Sequence, residues 1–409
     1  MNGTGPSAAP TVLVLGGGTR LPRALRAHGC HVLYGGTLAE FGPGHQDACD
    51  EALLLSGADG DAWLDHALAL HKAVPFDRVV TVRERFLTTA ARIRDALGLP
   101  GNPPRTVLLL KDKARMREAL ADAPGAPAVQ AALMRAPGDL AAFAERAGLP
   151  VVLKPRDGSG SQGIHVLRDT ADVERAARLV EAAPDTLLAE EFLAGPEYSV
   201  ESFSRAGEHH VLAVTEKFTG DNAVEIGHLV PARVDAARHR ALEAATSAFL
   251  DAVGLTDGPA HTEIIVTPRG PRVVESHDRP GGDGIIDLVR EVTGADVRDL
   301  LAAHVAGAVP PAPAATAGAA AVWFLTAPPG PVTEITGEEA AAAGPGVVDT
   351  ALDVAPGDTV PELRGSDDRC GWVLAVGDDP GQALARARAA AAEIRITTRP
   401  VPGEETPAP

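Results

Sequence analysis

The stretch that most constrains this chain is residues 261–283. Two short runs rich in Val, Ile and Thr, 261–267 and 271–277, flank Pro268-Arg269-Gly270. Such runs around a three-residue loop ending in Gly predict a β-hairpin. With Thr267 facing Pro271, Glu263 falls opposite Glu275 and His261 opposite His277. Period-two alternation puts Ile264, Val266 and Val274 on the other face, which suits a core and turns the polar face into a cleft. Like charges opposed on paired strands are destabilising by roughly 0.2–1 kcal/mol. A cation is therefore expected between the two acids, and replacing either with Gln is expected to leave ligand-free stability unchanged or raised. The plain alternative is a solvent-facing hairpin with two unrelated acids. The functional alternative is a hard-cation site, in which carboxylate oxygens hold Mg²⁺ or Mn²⁺ against substrate phosphates. His277 would then be a third ligand or a hydrogen-bond partner. Arg279 would reach an oxyanion near the metal, and Gly281-Gly282 would let a ligand approach the backbone.

A chain of 409 residues exceeds one hydrophobic core, so two or three domains are expected. Its net charge of −18 argues against a nucleic-acid partner, because phosphate binding wants a basic surface. Any anionic ligand must be met by local positive charge. Cys30, Cys49 and Cys370 are far apart and odd in number, which indicates neither a disulfide framework nor a zinc site. The first residues lack a signal pattern and no apolar run is long enough for a membrane span, so a cytoplasmic location with no membrane partner is expected. Among 37 Lys and Arg, only Lys72, Lys111, Lys113, Lys154 and Lys217 are lysines. A sequence this biased towards Arg is expected to use Lys where a compact ammonium meets phosphate.

Along the chain, strands at 11–16, 31–34, 52–55 and 78–82 alternate with helices at 21–28, 61–74 and 86–97. This predicts an N-terminal parallel α/β domain over 1–102. Gly16-Gly17-Gly18 is not a dinucleotide fingerprint: Leu21 stands where its third Gly belongs, and no acid ends the second strand. Glu84, just past the 78–82 strand, lies where α/β sheets bind ligands. A single helix is expected from Thr106 to Ala121. The strand Val151–Lys154 then enters Arg156-Asp-Gly158-Ser159-Gly160-Ser161-Gln-Gly163, whose backbone N–H groups can fold over phosphates, although it is no P-loop. A ligand-free flexible hairpin is the alternative there. Glu190-Glu-Phe-Leu193 through Glu197 reads as a hinge whose backbone could bond an adenine edge, or as a plain acidic connector. Residues 312–319 read as a linker before a small C-terminal α+β domain, and 397–409 as a disordered tail.

Taken together, Lys111-Asp-Lys113, Val-Val-Leu-Lys154-Pro with its Gly loop, Glu-Glu-Phe-Leu-x-Gly-x-Glu197 and Glu263…Glu275-x-His277-x-Arg279 resemble the ATP-grasp superfamily in kind and order. Thr215-Glu-Lys217 and Val224-Glu-Ile-Gly-His228-x-Val-Pro231 are similar to its amino-acid ligase branch, which carries a biotin-carboxylase-like C-terminal domain. The resemblance implies an ATP-grasp domain over 103–311 with a mobile lid at about 128–193, and a C-terminal domain over 312–396. It implies ATP phosphates on Lys113 and Lys154, closure of loop 158–163 over them, adenine at the backbones of Glu190 and Leu193, ribose on Glu197, and Mg²⁺ or Mn²⁺ on Glu263 and Glu275. His277 stands where the family usually has Asn. The expected activity is ATP-dependent joining of a carboxylate to an amine through an acylphosphate, with Arg279 and Lys154 catalytic. Glu84, His228, Arg279, Gly281, Gly282 and Asp283 are expected to line the pocket for small amino-acid or carboxylic-acid substrates. A homodimer is compatible with this reading. A carboxylase acting on bicarbonate and a nucleotide-binding protein without catalysis are the alternatives.

Overall fold

The computed structural model describes residues 9–57, 60–121, 128–158, 160, 162–220, 224–308 and 315–399. Ser159 and Ser161 of the glycine loop, residues 312–314 of the linker and the tail from 400 lie outside the described residues.

The N-terminal region holds a four-stranded sheet in the order Glu51–Leu55, His31–Thr37, Thr11–Leu15, Arg78–Val80, all parallel. A parallel sheet is covered on both faces, so its strands read as unbroken apolar runs. Here Val12 and Val14 enter one core while Leu13 and Leu15 enter another. The last strand stops at Val80, two residues earlier than expected, and Glu84 sits in a 3₁₀ turn, Glu84–Phe86.

The expected Thr106–Ala121 helix is two helices, Pro104–Lys111 and Lys113–Ala121. Asp112 between them is extended, and its carboxylate accepts from the Ala114 and Arg115 N–H groups, capping the second helix. The Lys113 N–H donates instead to the Arg156 carbonyl at 2.8 Å, so the break ties this helix to the lid. The lid is an antiparallel sheet, ordered Ala131–Met134, Leu187–Glu191, Val151–Pro155, His165–Leu167, covered by helices Pro137–Ala147 and Thr170–Ala182 around its own core.

An eight-stranded antiparallel sheet forms the centre, in the order Gly270–His277, Gly258–Thr267, Glu197–Arg205, Glu208–Thr219, Glu225–Val230, Ala319–Leu325, Gly371–Gly377, Val347–Leu352. Its last three strands come from the expected C-terminal domain, so that region extends the central sheet and is not a separate layer. The strand Arg395–Thr398 pairs with Gly330–Thr336, so Thr397 and Thr398 belong to a sheet and not to a disordered tail. Helices Ile285–Thr293 and Val297–Val305 and strand Val347–Leu352 were not expected from the sequence.

The hairpin register differs from expectation near its turn. Thr267 pairs with Gly270 and Val266 with Pro271, leaving the two-residue loop Pro268-Arg269. A β-bulge at Val274 then inserts one residue, so Glu263 does face Glu275 and His261 does face His277. The bulge also moves Val273, not Val274, into the core beside Ile264.

Candidate active site

Two cavities meet on this hairpin. The first, about 180 Å³, is a slot between lid and central sheet lined by Lys113, Val152, Lys154, Ile164, Phe192, Leu193, Ile265 and Val274 among others. The second, about 930 Å³, is an open polar cleft lined by Gly17, Gly18, Glu84, His228, Arg279, Gly281, Gly282 and Asp283, with Ser366 and Asp367 from the C-terminal region. Glu225, Glu263 and Glu275 line both. Lys113 and Lys154 line only the slot, and Arg279 only the cleft.

The opposed acids are each compensated by a lysine. Lys217 Nζ lies 2.7 Å from Glu263, 2.8 Å from Glu197 and 2.9 Å from Glu225. Lys113 Nζ lies 2.7 Å from Glu275 and donates to the Gly158 carbonyl at 2.5 Å. Burial would raise the Glu275 carboxyl, but Lys113 outweighs it and holds it well below the usual range. Burial likewise opposes the charge on Lys217, and its three acids win. The expectation of net repulsion, relieved by Gln, is therefore corrected at Glu275, whose removal would leave the buried Lys113 ammonium short of a partner, which is destabilising; Lys217 would keep Glu197 and Glu225 if Glu263 were removed.

His261 supports Glu263 from beneath. Its Nδ1 donates to Glu201 at 2.9 Å and its Nε2 to Glu263 at 3.2 Å. Burial alone would depress this imidazole; Glu201 and Glu263 lift it to about 9. Gly281 is a glycine because of this pair: a Cβ there would stand 2.9 Å from both Glu201 Oε2 and His261 Nδ1. Its neighbour Gly282 has open space around it, as ligand approach would require. His277 spans Glu84 at 3.1 Å and Glu275 at 3.2 Å. Burial opposes its charge, while hydrogen bonds to Glu275 and Glu84 raise its pKa above the usual imidazole range. Of the two expected roles, ligand or hydrogen-bond partner, the second is the one its contacts with Glu84 and Glu275 show.

Across the cleft, Arg279 Nε donates to Glu84 at 2.8 Å. Burial opposes ionisation of Glu84, but His277 and Arg279 bring it down to about 2. Asp283 adopts φ +52°, a left-handed conformation costing on the order of 1 kcal/mol. Arg369 Nη2 holds its carboxylate at 2.8 Å while stacking 3.7 Å over Phe324. His228 lies 3.9 Å from Asp283, and its ring nitrogens have no hydrogen-bond partner among the described residues.

In the slot, Glu190 contributes its side chain as well as its backbone. Lys154 Nζ is 2.8 Å from its Oε2, and Arg117 Nε 2.7 Å from its Oε1. Leu193 lines the wall beside half-exposed Phe192, and Glu197 is tied to Lys217. The glycine loop folds against the C-terminal region, where the Gly160 carbonyl accepts from the Ser366 N–H at 3.4 Å. Gly163 lies nearby, where a Cβ would come within 3.0 Å of Pro155.

Carboxylate oxygens are the donors Mg²⁺ prefers, and Glu263 and Glu275 present them at the boundary of slot and cleft. Among the described residues, the acids close enough to share one ion are Glu197, Glu225 and Glu263, within 4.8 Å of each other. The set Glu263, Glu275 and His277 is not gathered so tightly.

Three domain models match the chain: an ATP-grasp N-terminal domain at 23–101, an ATP-grasp domain at 147–286 and an L-amino acid ligase C-terminal domain at 323–399. The chain belongs to the ATP-grasp superfamily. This ATP-grasp chain is 28% identical over 252 residues to the alanine–anticapsin ligase of Bacillus subtilis strain 168, covering 55% of the chain and 53% of that protein. It is 27% identical over 236 residues to an L-arginine-specific L-amino acid ligase of Bacillus subtilis, covering 55% and 56%. The matched segments thus span about half the length of these curated relatives. The structure of an L-amino acid ligase from Bacillus licheniformis superposes with a TM-score of 0.80 at 24% identity, covering 96% of this chain and all of that one, which shows the fold.

Sequence reasoning missed Arg117, Glu201, Glu225, Lys217 and Arg369 as site residues. Lys217 had a signal, being one of five lysines. Glu225 stood in the Val224–Pro231 motif; Arg117, Glu201 and Arg369 had none, since charge partners 50 or more residues apart leave no local pattern. No helix among the described residues is long and apolar enough to cross a membrane.

Proposed function

We propose that this ATP-grasp chain is an ATP-dependent carboxylate–amine ligase that forms an amide bond between small amino-acid-type substrates and releases ADP and phosphate. The observation that carries this reading is the division of the site. An apolar slot with two lysines opens onto a polar cleft with an arginine, and Glu225, Glu263 and Glu275 stand at the boundary. Adenine fits between Ile164, Phe192 and Leu193, with ribose near Glu197. Lys113 and Lys154 meet the phosphates, and loop 158–163 covers them.

A carboxylate is a poor electrophile until one of its oxygens is phosphorylated. The acceptor carboxylate, bound in the cleft, attacks the γ-phosphorus, and the bond to the β–γ bridging oxygen breaks as ADP leaves. The amine then attacks the acylphosphate carbon, and phosphate departs with the electron pair of its carbon–oxygen bond. Arg279, aligned by Glu84, stabilises the oxyanion of that step. The amine proton passes to a base in the cleft. Glu263 and Glu275 would hold Mg²⁺, which would supply charge neutralisation at the transferring phosphoryl group, and His277 fixes the Glu275 carboxylate. The lid excludes water that would hydrolyse the acylphosphate.

The test is phosphate release from MgATP over pools of amino acids, with products identified by mass spectrometry. Amino-acid-dependent release with an amide product is expected. Release that depends on bicarbonate, or none with any pool, would overturn the reading.

A further inference from the structure

Arg117 has no role in the mechanism above, yet it lies directly behind the slot wall, bonded to Glu190 and to the Val274 carbonyl, two residues that line it. It stands one turn after Lys113 on helix Lys113–Ala121, so both side chains leave the same helix face. Arg117 is 6% exposed. Its Nε and Nη2 grip both oxygens of Glu190, at 2.7 and 3.1 Å. Its Nη1 donates to the Val273 carbonyl at 2.6 Å and Nη2 to the Val274 carbonyl at 3.0 Å. Those carbonyls flank the bulge that sets Glu275 opposite Glu263. One side chain therefore joins the lid strand to the acidic hairpin across the floor of the slot.

We propose that Arg117 is the positioning residue of the nucleotide site, engaging Glu190 so that Lys154 keeps an uncompensated positive charge for a polyphosphate. The inference rests on the nucleotide reading of the slot. Glu190 stays ionised, because Arg117 and Lys154 outweigh burial and hold its carboxyl at about 2. With Arg117 present, Glu190 lies between two cations and the group carries one net positive charge. Without it, Lys154 alone would neutralise a buried carboxylate, the pair would be neutral, and the ammonium would be drawn from the phosphates. Lys cannot substitute, because only the planar fork reaches a carboxylate and two carbonyls together.

Binding of Mg²⁺ with a non-hydrolysable ATP analogue, titrated by calorimetry into the full chain, tests this. Arg117→Met and Arg117→Lys should each weaken binding by about tenfold or more. Arg117→Met/Glu190→Gln should recover most of that loss, since removing the acid frees Lys154 again, while KM for the amino acids stays near the wild-type value. An arginine with a purely structural role would lower the melting temperature of Arg117→Met and leave the analogue affinity of the folded chain near the wild-type value. Wild-type affinity in Arg117→Met, or a double variant as weak as the single, overturns the inference. If Arg117→Met does not fold, the double variant decides: near-wild-type affinity supports the inference, and about tenfold weaker binding overturns it. Absence of analogue binding by the wild type would instead overturn the nucleotide reading, and this inference with it.

Discussion

The slot and the cleft share three acids but are built in opposite ways. The slot has about 180 Å³ between two preformed walls, the lid strands and the acidic hairpin, and sets aliphatic and aromatic side chains such as Val152, Ile164, Phe192 and Leu193 beside its acids and two lysines. The cleft has about 930 Å³ and draws on segments at 17–21, 82–85, 217–228, 261–286 and 366–367, with charges nearly all matched by neighbours. A narrow apolar slot with a few directed polar groups suits one invariant ligand. A wide cleft of paired charges selects by whichever pair a substrate displaces. The difference separates a generic half of the site from a selective half.

The comparison breaks most easily at the lysines. Lys154→Ala should reduce ADP formation by about 10²–10³-fold, the loss typical of one preorganised donor at a developing anion, with amino-acid KM unchanged. Steady-state kinetics checks this, and retained activity would mean that the slot does not hold phosphates. The cleft floor comes next. The His261 pKa is raised from 6.5 to about 9 in the folded chain. Its stabilisation is therefore complete below pH 6.5 and lost as pH rises through about 9, roughly 3 kcal/mol at most. Denaturant midpoints from pH 6 to 10, compared between wild type and His261→Gln, should converge at the alkaline end. Parallel curves would reject the buried imidazolium.

Arg369→Leu should raise amino-acid KM by about tenfold, through release of Asp283, and leave nucleotide affinity untouched. If both constants move, slot and cleft are one unit and the division fails. Least of all, Lys72→Ala on the exposed side of helix Gly60–Ala73 should change stability by less than about 0.5 kcal/mol and leave activity intact. A loss there would undo the argument that rarity of lysine marks function.

Much of the slot was legible because its residues lie in short runs with local logic. Lys154 ends an apolar strand, a glycine loop follows it, and the 261–277 runs alternate with period two. The hairpin illustrates the limit: the facing of Glu263 and Glu275 was anticipated, but through a wrong turn register that a bulge at Val274 happens to restore. The sequence also placed the parallel N-terminal sheet, because strands buried on both faces must be apolar throughout. It did not show that the C-terminal strands join the central sheet, since the pairing of Leu229 with Ala321 is a long-range choice that neither strand records alone.

By itself, then, the sequence determined most of the elements, their order and the lysines that line the slot, because strand period, loop chemistry and residue type are local properties. Only the tertiary structure decided which cation compensates which acid. Lys217 is 46 residues from Glu263, Arg117 73 from Glu190, and Arg369 86 from Asp283. Such pairings depend on how whole sheets and helices pack, and the energy of a buried charge depends on what that packing brings within about 3 Å of it.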